Sequence, residues 1–187
     1  MKVSREQVAE NRRRILASAS RLFRERGFEA VTVAEIMKAA GLTHGGFYGY
    51  FKSKDDLIAH ALADVFTAAP AADADLAAYA ANYLTPAHRD DRAGGCPTAG
   101  LAAETIRQSP EARAAMTAGL RRQIDQLSRK APGATPAEQR RAAIGGWAAM
   151  VGALILARMS EDPRLSEEVL AQTRAWIDQA GGAPPAL

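Results

Sequence analysis

Helix start signals recur along the whole chain and constrain its fold more than any other feature. Thr32 with Glu35, Ser53 with Asp56, and Thr135-Pro136-Ala137-Glu138 each have the form of a capping box. In such a box a side-chain oxygen accepts from the N–H three residues ahead while the acid reaches back to the cap's own N–H. Ser109-Pro110 joins a cap to a proline, whose missing N–H is no loss at the first helical position. Thr43 and Ser166 have the same capping chemistry, and Gly27 and Gly41 fall where helices must stop. Runs of β-branched residues of strand length are absent. Alanine, the best helix former, supplies much of the 48% apolar content. The pattern predicts an all-α protein of about nine helices.

The first helix is expected over Arg5–Arg26, with Ile15, Ala19, Leu22 and Phe23 on one apolar stripe. A second short helix runs from the Thr32 cap to Gly41, with Val31 and Ile36 as its hydrophobic staple. A third carries His44 to Phe51, and a fourth opens at Ser53 and passes through Ala61 and Leu62. Further helices are expected over Asp73–Leu84, Cys96–Arg107, Ser109–Lys130 and Thr135–Met159, and from a Ser166 cap to Ala180. Thr85–Gly95 reads as a polar loop, and the tail GGAPPAL as disordered. The apolar stretch from Trp147 to Met159 falls short of the ~20 residues that span a bilayer. It reads as a buried core or interface helix, so no membrane partner is expected.

Charge divides the chain unevenly. Residues 1–54 hold 11 Lys/Arg against 5 Asp/Glu, whereas residues 55–187 hold 13 against 16. A basic end on a mildly acidic remainder suits nucleic-acid binding at that end. The lone Cys96 rules out an intramolecular disulfide and suits a reducing, cytoplasmic setting. The basic start lacks a following apolar stretch, so it does not read as a signal peptide.

The segment Thr32 to Leu57, TVAEIMKAAGLTHGGFYGYFKSKDDL, places two short helices around a turn at Gly41. A helix-turn-helix needs this layout, with the second helix projecting outward. Ala34, Ile36, Ala39, Leu42, Phe47 and Phe51 supply the apolar contacts. Thr43, His44, Gly45, Gly46, Tyr48, Gly49 and Tyr50 are left outside, a face suited to close approach to a duplex. A capped short helix, an Ala-Gly turn, an aromatic-rich recognition helix and a Phe-Lys-Ser-Lys-acid-acid-Leu stretch follow one another here. In this the segment resembles the DNA-binding domain of the TetR/AcrR family of repressors, over roughly the first 60 residues.

The resemblance implies a DNA-binding domain over residues 1–54 and a helical effector-binding and dimerisation domain over residues 55–187. It also implies DNA contacts from Thr32, Thr43, His44, Gly45, Gly46, Tyr48, Tyr50 and Lys54. Thr32 and Lys54, at helix starts, would meet phosphates. His44 could donate to a base acceptor such as guanine N7. Because Gly45, Gly46 and Gly49 lack side chains, duplex shape is expected to carry more of the specificity than base edges do.

One helix-turn-helix reads too few base pairs, so a homodimer is expected, with recognition helices about 34–36 Å apart on double-stranded operator DNA. The two C-terminal helices are its natural element, through Gly152, Ile155, Val169, Leu170, Thr173, Trp176 and Ile177. The resemblance further implies a cavity for a small-molecule effector, with Phe66, Tyr79, Tyr83, Cys96, Met116, Leu120, Trp147 and Met150 as candidate liners. Their character suggests an apolar or aromatic ligand. Effector binding would move the fourth helix and misplace the recognition helices, releasing the operator.

Two alternatives stand beside this: a repressor that senses electrophiles or oxidants through Cys96, and a transcriptional activator. No HExxH, GxSxG, Walker or Rossmann pattern occurs, and His44, His60 and His88 lie in separate segments. No enzymatic activity, metal or cofactor is therefore expected. A nonspecific architectural DNA binder would explain the basic end but not the large acidic remainder.

Overall fold

The computed structural model describes residues 4–68 and 75–180. Asp73 and the tail GGAPPAL lie outside the described residues. The described chain is all-α, with nine α-helices and one 3-10 helix: α1 (Arg5–Arg26), α2 (Val33–Ala39), a 3-10 helix (His44–Gly49), α3 (Lys54–Ala68), α4 (Leu76–Tyr83), α5 (Pro86–Asp90), α6 (Pro97–Thr105), α7 (Pro110–Ser128), α8 (Pro136–Met159) and α9 (Pro163–Ala180).

Three elements differ from the sequence reading. The expected polar loop after Leu84 contains α5, because Thr85 caps it through the His88 N–H and Pro86 occupies its first position. Ser166 does not cap the last helix. Pro163 starts that helix three residues earlier, and the buried Ser166 hydroxyl instead donates to the Ala157 carbonyl at 2.8 Å. The helix expected over Thr135–Met159 is α8, but its apolar part is not short of a span: the helix has 24 residues and is long and apolar enough, by length and composition, to cross a membrane. Here it buries Ala143, Gly146, Trp147, Met150, Ala153, Leu154 and Ala157 in its own unit.

The helices form two compact units. The first comprises residues 1–69 and 93–119, and the second residues 70–92 and 120–187, with the boundary inside α7. The first unit therefore takes in α3, α6 and part of α7, beyond the expected boundary at residue 54.

In the first unit, α1 packs against α2, α3 and α6. Ile15, Ala19, Phe23, Phe28, Val31, Ile36, Met37, Phe47, Phe51, Leu57, Ile58 and Leu62 form its core, joined by Leu101 and Ala112. Removing this much apolar surface from water is the main force holding the unit together. Two polar links join α1 and its end to the segment around α6. The Arg24 guanidinium donates to the carbonyls of Gly94 and Gly95 at 3.0 and 2.7 Å. The Glu104 carboxylate accepts from the N–H of fully buried Phe28 at 2.7 Å. Gly119 lets α7 lie directly on a ring, since a Cβ there would stand 2.3 Å from Phe66.

In the second unit, α8 packs on α9, α4 and α5. Gly146 admits Leu76, whose methyl would lie 2.8 Å from an added Cβ. Arg158 on α8 donates to the carbonyls of His88, Arg89 and Asp91, serving the orphan C-terminal carbonyls of α5.

An aromatic ring cannot shift far within a close-packed interior. Gly119→Ala is therefore expected to lower the unfolding free energy by about 1–3 kcal/mol, the usual range for overpacking. Urea denaturation with the parent chain alongside measures it.

Candidate functional site

The turn between α2 and the 3-10 helix is built from local chemistry. Thr32 and Glu35 form the full capping box: the Thr32 hydroxyl oxygen accepts from the Glu35 N–H, and the Glu35 carboxylate accepts from the Thr32 N–H. Arg26 donates to the same carboxylate at 2.9 Å. The Thr32 backbone bond first, then its hydroxyl and Arg26, lower the Glu35 pKa from 4.5 to about 2. Gly41 adopts φ +69°, the left-handed conformation that ends α2. The Arg14 guanidinium lies over this turn, 2.5 Å from where a Gly41 Cβ would stand.

The segment expected as a third α-helix is a 3-10 helix over His44–Gly49, and the Thr43 side chain makes no capping bond. Three glycines in six residues remove the side-chain contacts that favour a full α-turn, and short 3-10 pieces connect elements where α-propensity is low. Its anchors are Phe47 and Phe51, 1% and 2% exposed, with stacked rings 5.9 Å apart. The Arg12 guanidinium sits 5.0 Å over the Phe51 ring, a cation–π contact.

Around these anchors Thr43, His44, Gly45, Gly46 and Gly49 are exposed, and Tyr48 is 74% exposed. A Cβ at Gly45 or Gly49 would meet nothing within 4 Å. Thr32 is exposed as well, and Lys54 is half-buried at the first position of α3. Ser53 caps α3 through the Asp56 N–H, while the Asp56 carboxylate accepts from the Lys52 N–H rather than from that of Ser53.

Tyr50 differs from its neighbours. It is half-buried against the core, and its hydroxyl accepts from Asn11 Nδ2 at 2.9 Å. Asn11 is a residue that the sequence reading does not single out.

The candidate effector liners fall in both units. Phe66, Cys96 and Met116 belong to the first. Phe66 is half-buried beside Gly119, and Met116 packs against the core. Cys96 is buried as the cap of α6, where its Sγ accepts from the Ala99 N–H at 3.5 Å. Tyr79, Tyr83, Leu120, Trp147 and Met150 belong to the second.

Tyr79, Tyr83 and Trp147 form one aromatic cluster, with ring centroids 5.4–6.2 Å apart. His88 closes it against Tyr83 and donates Nδ1–H to the Tyr83 carbonyl at 2.7 Å. Burial holds its pKa below the ordinary histidine value, with the Tyr83 bond opposing. The buried Trp147 Nε1 has no hydrogen-bond acceptor among the described residues. Met150 is fully buried, whereas Leu120 is 37% exposed.

The candidate dimer residues divide by face. Leu170 and Ile177 are 3% and 2% exposed and spend their apolar surface inside their own unit, which corrects their assignment to a dimer face. Val169, Thr173 and Gly152 are half-buried. Ile155 and Trp176 remain open, with Leu156, Met159 and Leu165, which the sequence reading leaves out.

Residues 15–61 match the family profile described as bacterial regulatory proteins, tetR family. The chain is 43% identical over 54 residues to the HTH-type transcriptional regulator AcrR of Shigella flexneri, covering 29% of this chain and 25% of that protein. It is 38% identical over 58 residues to the HTH-type transcriptional repressor KstR2 of Mycolicibacterium smegmatis, covering 31% and 28%. These matches span about a quarter of the curated relatives' length. The structure of E. coli NemR in its reduced form superposes with a TM-score of 0.74 at 24% identity, over 94% of this chain and 99% of that one, and so shares the fold.

The depressed Glu35 pKa sets a pH window. Because its folded value is lowered, the stabilisation is present above pH 4.5 and is lost as pH falls towards 2. Glu35→Gln is expected to show a shallower loss of stability across that window than the parent, read as urea midpoints against pH.

Proposed function

We propose that the chain, whose residues 15–61 match the tetR family profile, is a homodimeric repressor of the TetR/AcrR family that binds double-stranded operator DNA and releases it when a small apolar or aromatic molecule binds. The observation that carries the reading is the 3-10 segment. Two buried phenylalanines pin it to a rigid core while Thr43, His44, Gly45, Gly46 and Tyr48 stand in solvent. A polar, nearly side-chain-free ridge of this kind fits close approach to a duplex. Thr32 and Lys54, each at the start of a helix, supply phosphate contacts at its flanks.

The open apolar strip on α8 and α9 supports the dimer. Met159 is 71% and Trp176 55% exposed, and Ile155, Leu156 and Leu165 are exposed as well. A second copy covers such a surface, and pairing places two recognition segments on successive turns of the duplex.

The Tyr79–Tyr83–Trp147 cluster supports an aromatic effector in the second unit. Ring-on-ring packing suits a flat ligand, and the unused Trp147 N–H is a donor for one polar atom on it. The capping role of Cys96 gives that residue a structural task, which favours a bound effector over thiol chemistry. Effector binding acts by shifting the balance between two dimer shapes, of which one fits DNA. A cytoplasmic location follows from the DNA-binding role.

Lys54→Ala is expected to weaken binding alike on all duplexes and to lower the slope of log affinity against log salt by about 1. His44→Ala should instead change preference at particular bases. Anisotropy titrations on the DNA upstream of its own gene and on a random duplex distinguish the two; a sequence-selective loss for Lys54→Ala overturns its phosphate role.

Trp176→Asp places a charge on the open strip. It is expected to convert the dimer to a monomer in sedimentation velocity. An unchanged dimer removes this strip from the interface.

A further inference from the structure

Asn11 lies on α1, a helix to which the sequence reading assigns no DNA contact, yet the residue is 8% exposed and its side chain joins two hydrogen bonds. Its Oδ1 accepts from Gln7 Nε2 at 3.0 Å, and its Nδ2 donates to the Tyr50 hydroxyl at 2.9 Å. In this arrangement Gln7 donates to the oxygen and the amide nitrogen faces Tyr50, where an N–H₂ can only donate.

The Tyr50 oxygen therefore receives a hydrogen bond on one side of its ring. A phenolic O–H lies close to the ring plane and has two positions there. Asn11 occupies one, so the hydroxyl hydrogen takes the other. Tyr50 closes the 3-10 segment, directly after His44–Gly49, of which all but Phe47 are exposed.

We propose that Asn11 is a positioning residue for DNA binding: it holds the Tyr50 hydroxyl as an outward donor aimed at a phosphodiester oxygen of the duplex backbone. The inference rests on the DNA-binding reading and extends it to a buried residue. It assigns Tyr50 a directional role, since a tyrosine with a freely turning hydroxyl would lose part of its bond energy in ordering that rotor. A hydroxyl already accepting a bond is also a stronger donor, because linked hydrogen bonds polarise one another. Neither group is charged, so the pair adds affinity without adding to the salt slope.

The test is a double-mutant cycle on the full-length chain, titrated at fixed salt against a labelled duplex from the DNA upstream of its own gene and against a random duplex. Tyr50→Phe removes only the hydroxyl and is expected to weaken binding about fivefold, the scale of one net hydrogen bond. Asn11→Ala should weaken it to a similar extent, and the double variant no further than Tyr50→Phe alone. Salt slopes should match the parent throughout.

Asn11→Asp keeps the side-chain volume but cannot donate, so Tyr50 must turn its hydrogen inward. Its penalty should be larger with Tyr50 present than in the Tyr50→Phe background, where only the added charge acts. This arm carries the test if Asn11→Ala unfolds, which the thermal midpoint reports. The proposal is overturned if Tyr50→Phe binds like the parent, or if either Asn11 variant has equal penalties in both backgrounds. A parent chain that binds neither duplex overturns the DNA-binding reading itself, and this inference with it.

Discussion

The insertion of Phe47 and Phe51 into the core of the first unit is the contact on which the candidate interface depends. Six residues containing three glycines have little intrinsic reason to hold one shape. Burial of the two rings supplies it, at a scale of a few kcal/mol for large apolar side chains. Every other feature of the site adjusts what those anchors hold. Gly41 sets the angle of entry, Arg12 covers the Phe51 ring, and Asn11 ties the far end to α1. The outward face is spare because the inward face carries the energy.

The second unit is organised by small residues on a long apolar helix. Gly146 lets Leu76 come close, and Ala143, Ala153 and Ala157 keep the remaining contacts tight. Ile155, Leu156, Met159, Leu165 and Trp176 on these two helices stay exposed, and the proposed dimer rests on them. Polar groups tie α5 to α8 and α9, where Arg158 serves the carbonyls of α5 and Arg89 donates to Ser166.

What could be read from the sequence was what is decided locally. The capping boxes at Thr32 and Thr135 and the stops at Gly27 and Gly41 depend on residues within one turn, and the structure has them where the spacing places them. Features decided by competition or by distant contacts were not legible. Ser166 has the chemistry of a cap, but Pro163 takes the helix start first. The last helix carries more than one apolar edge, and only tertiary packing decides that Leu170 and Ile177 turn inward while Trp176 stays out. The same holds for Leu120 and Met150, both apolar, of which the first is 37% exposed and the second fully buried. Asn11 did leave a sign. It falls one turn before Ile15, in register with the buried stripe Ile15, Ala19 and Phe23, where a polar side chain demands a partner.

The vacancy around Gly45 and Gly49 has an evolutionary consequence. Neither has positive φ, and neither has a neighbour that an added side chain would strike. Substitutions there would lengthen the reach of the segment without disturbing the aromatic pins beneath it. On the proposed DNA-binding role, scaffold and reading head are thus separable: new sequence preferences would be acquired by point changes at two unoccupied slots, while the fold that presents them stays as it is.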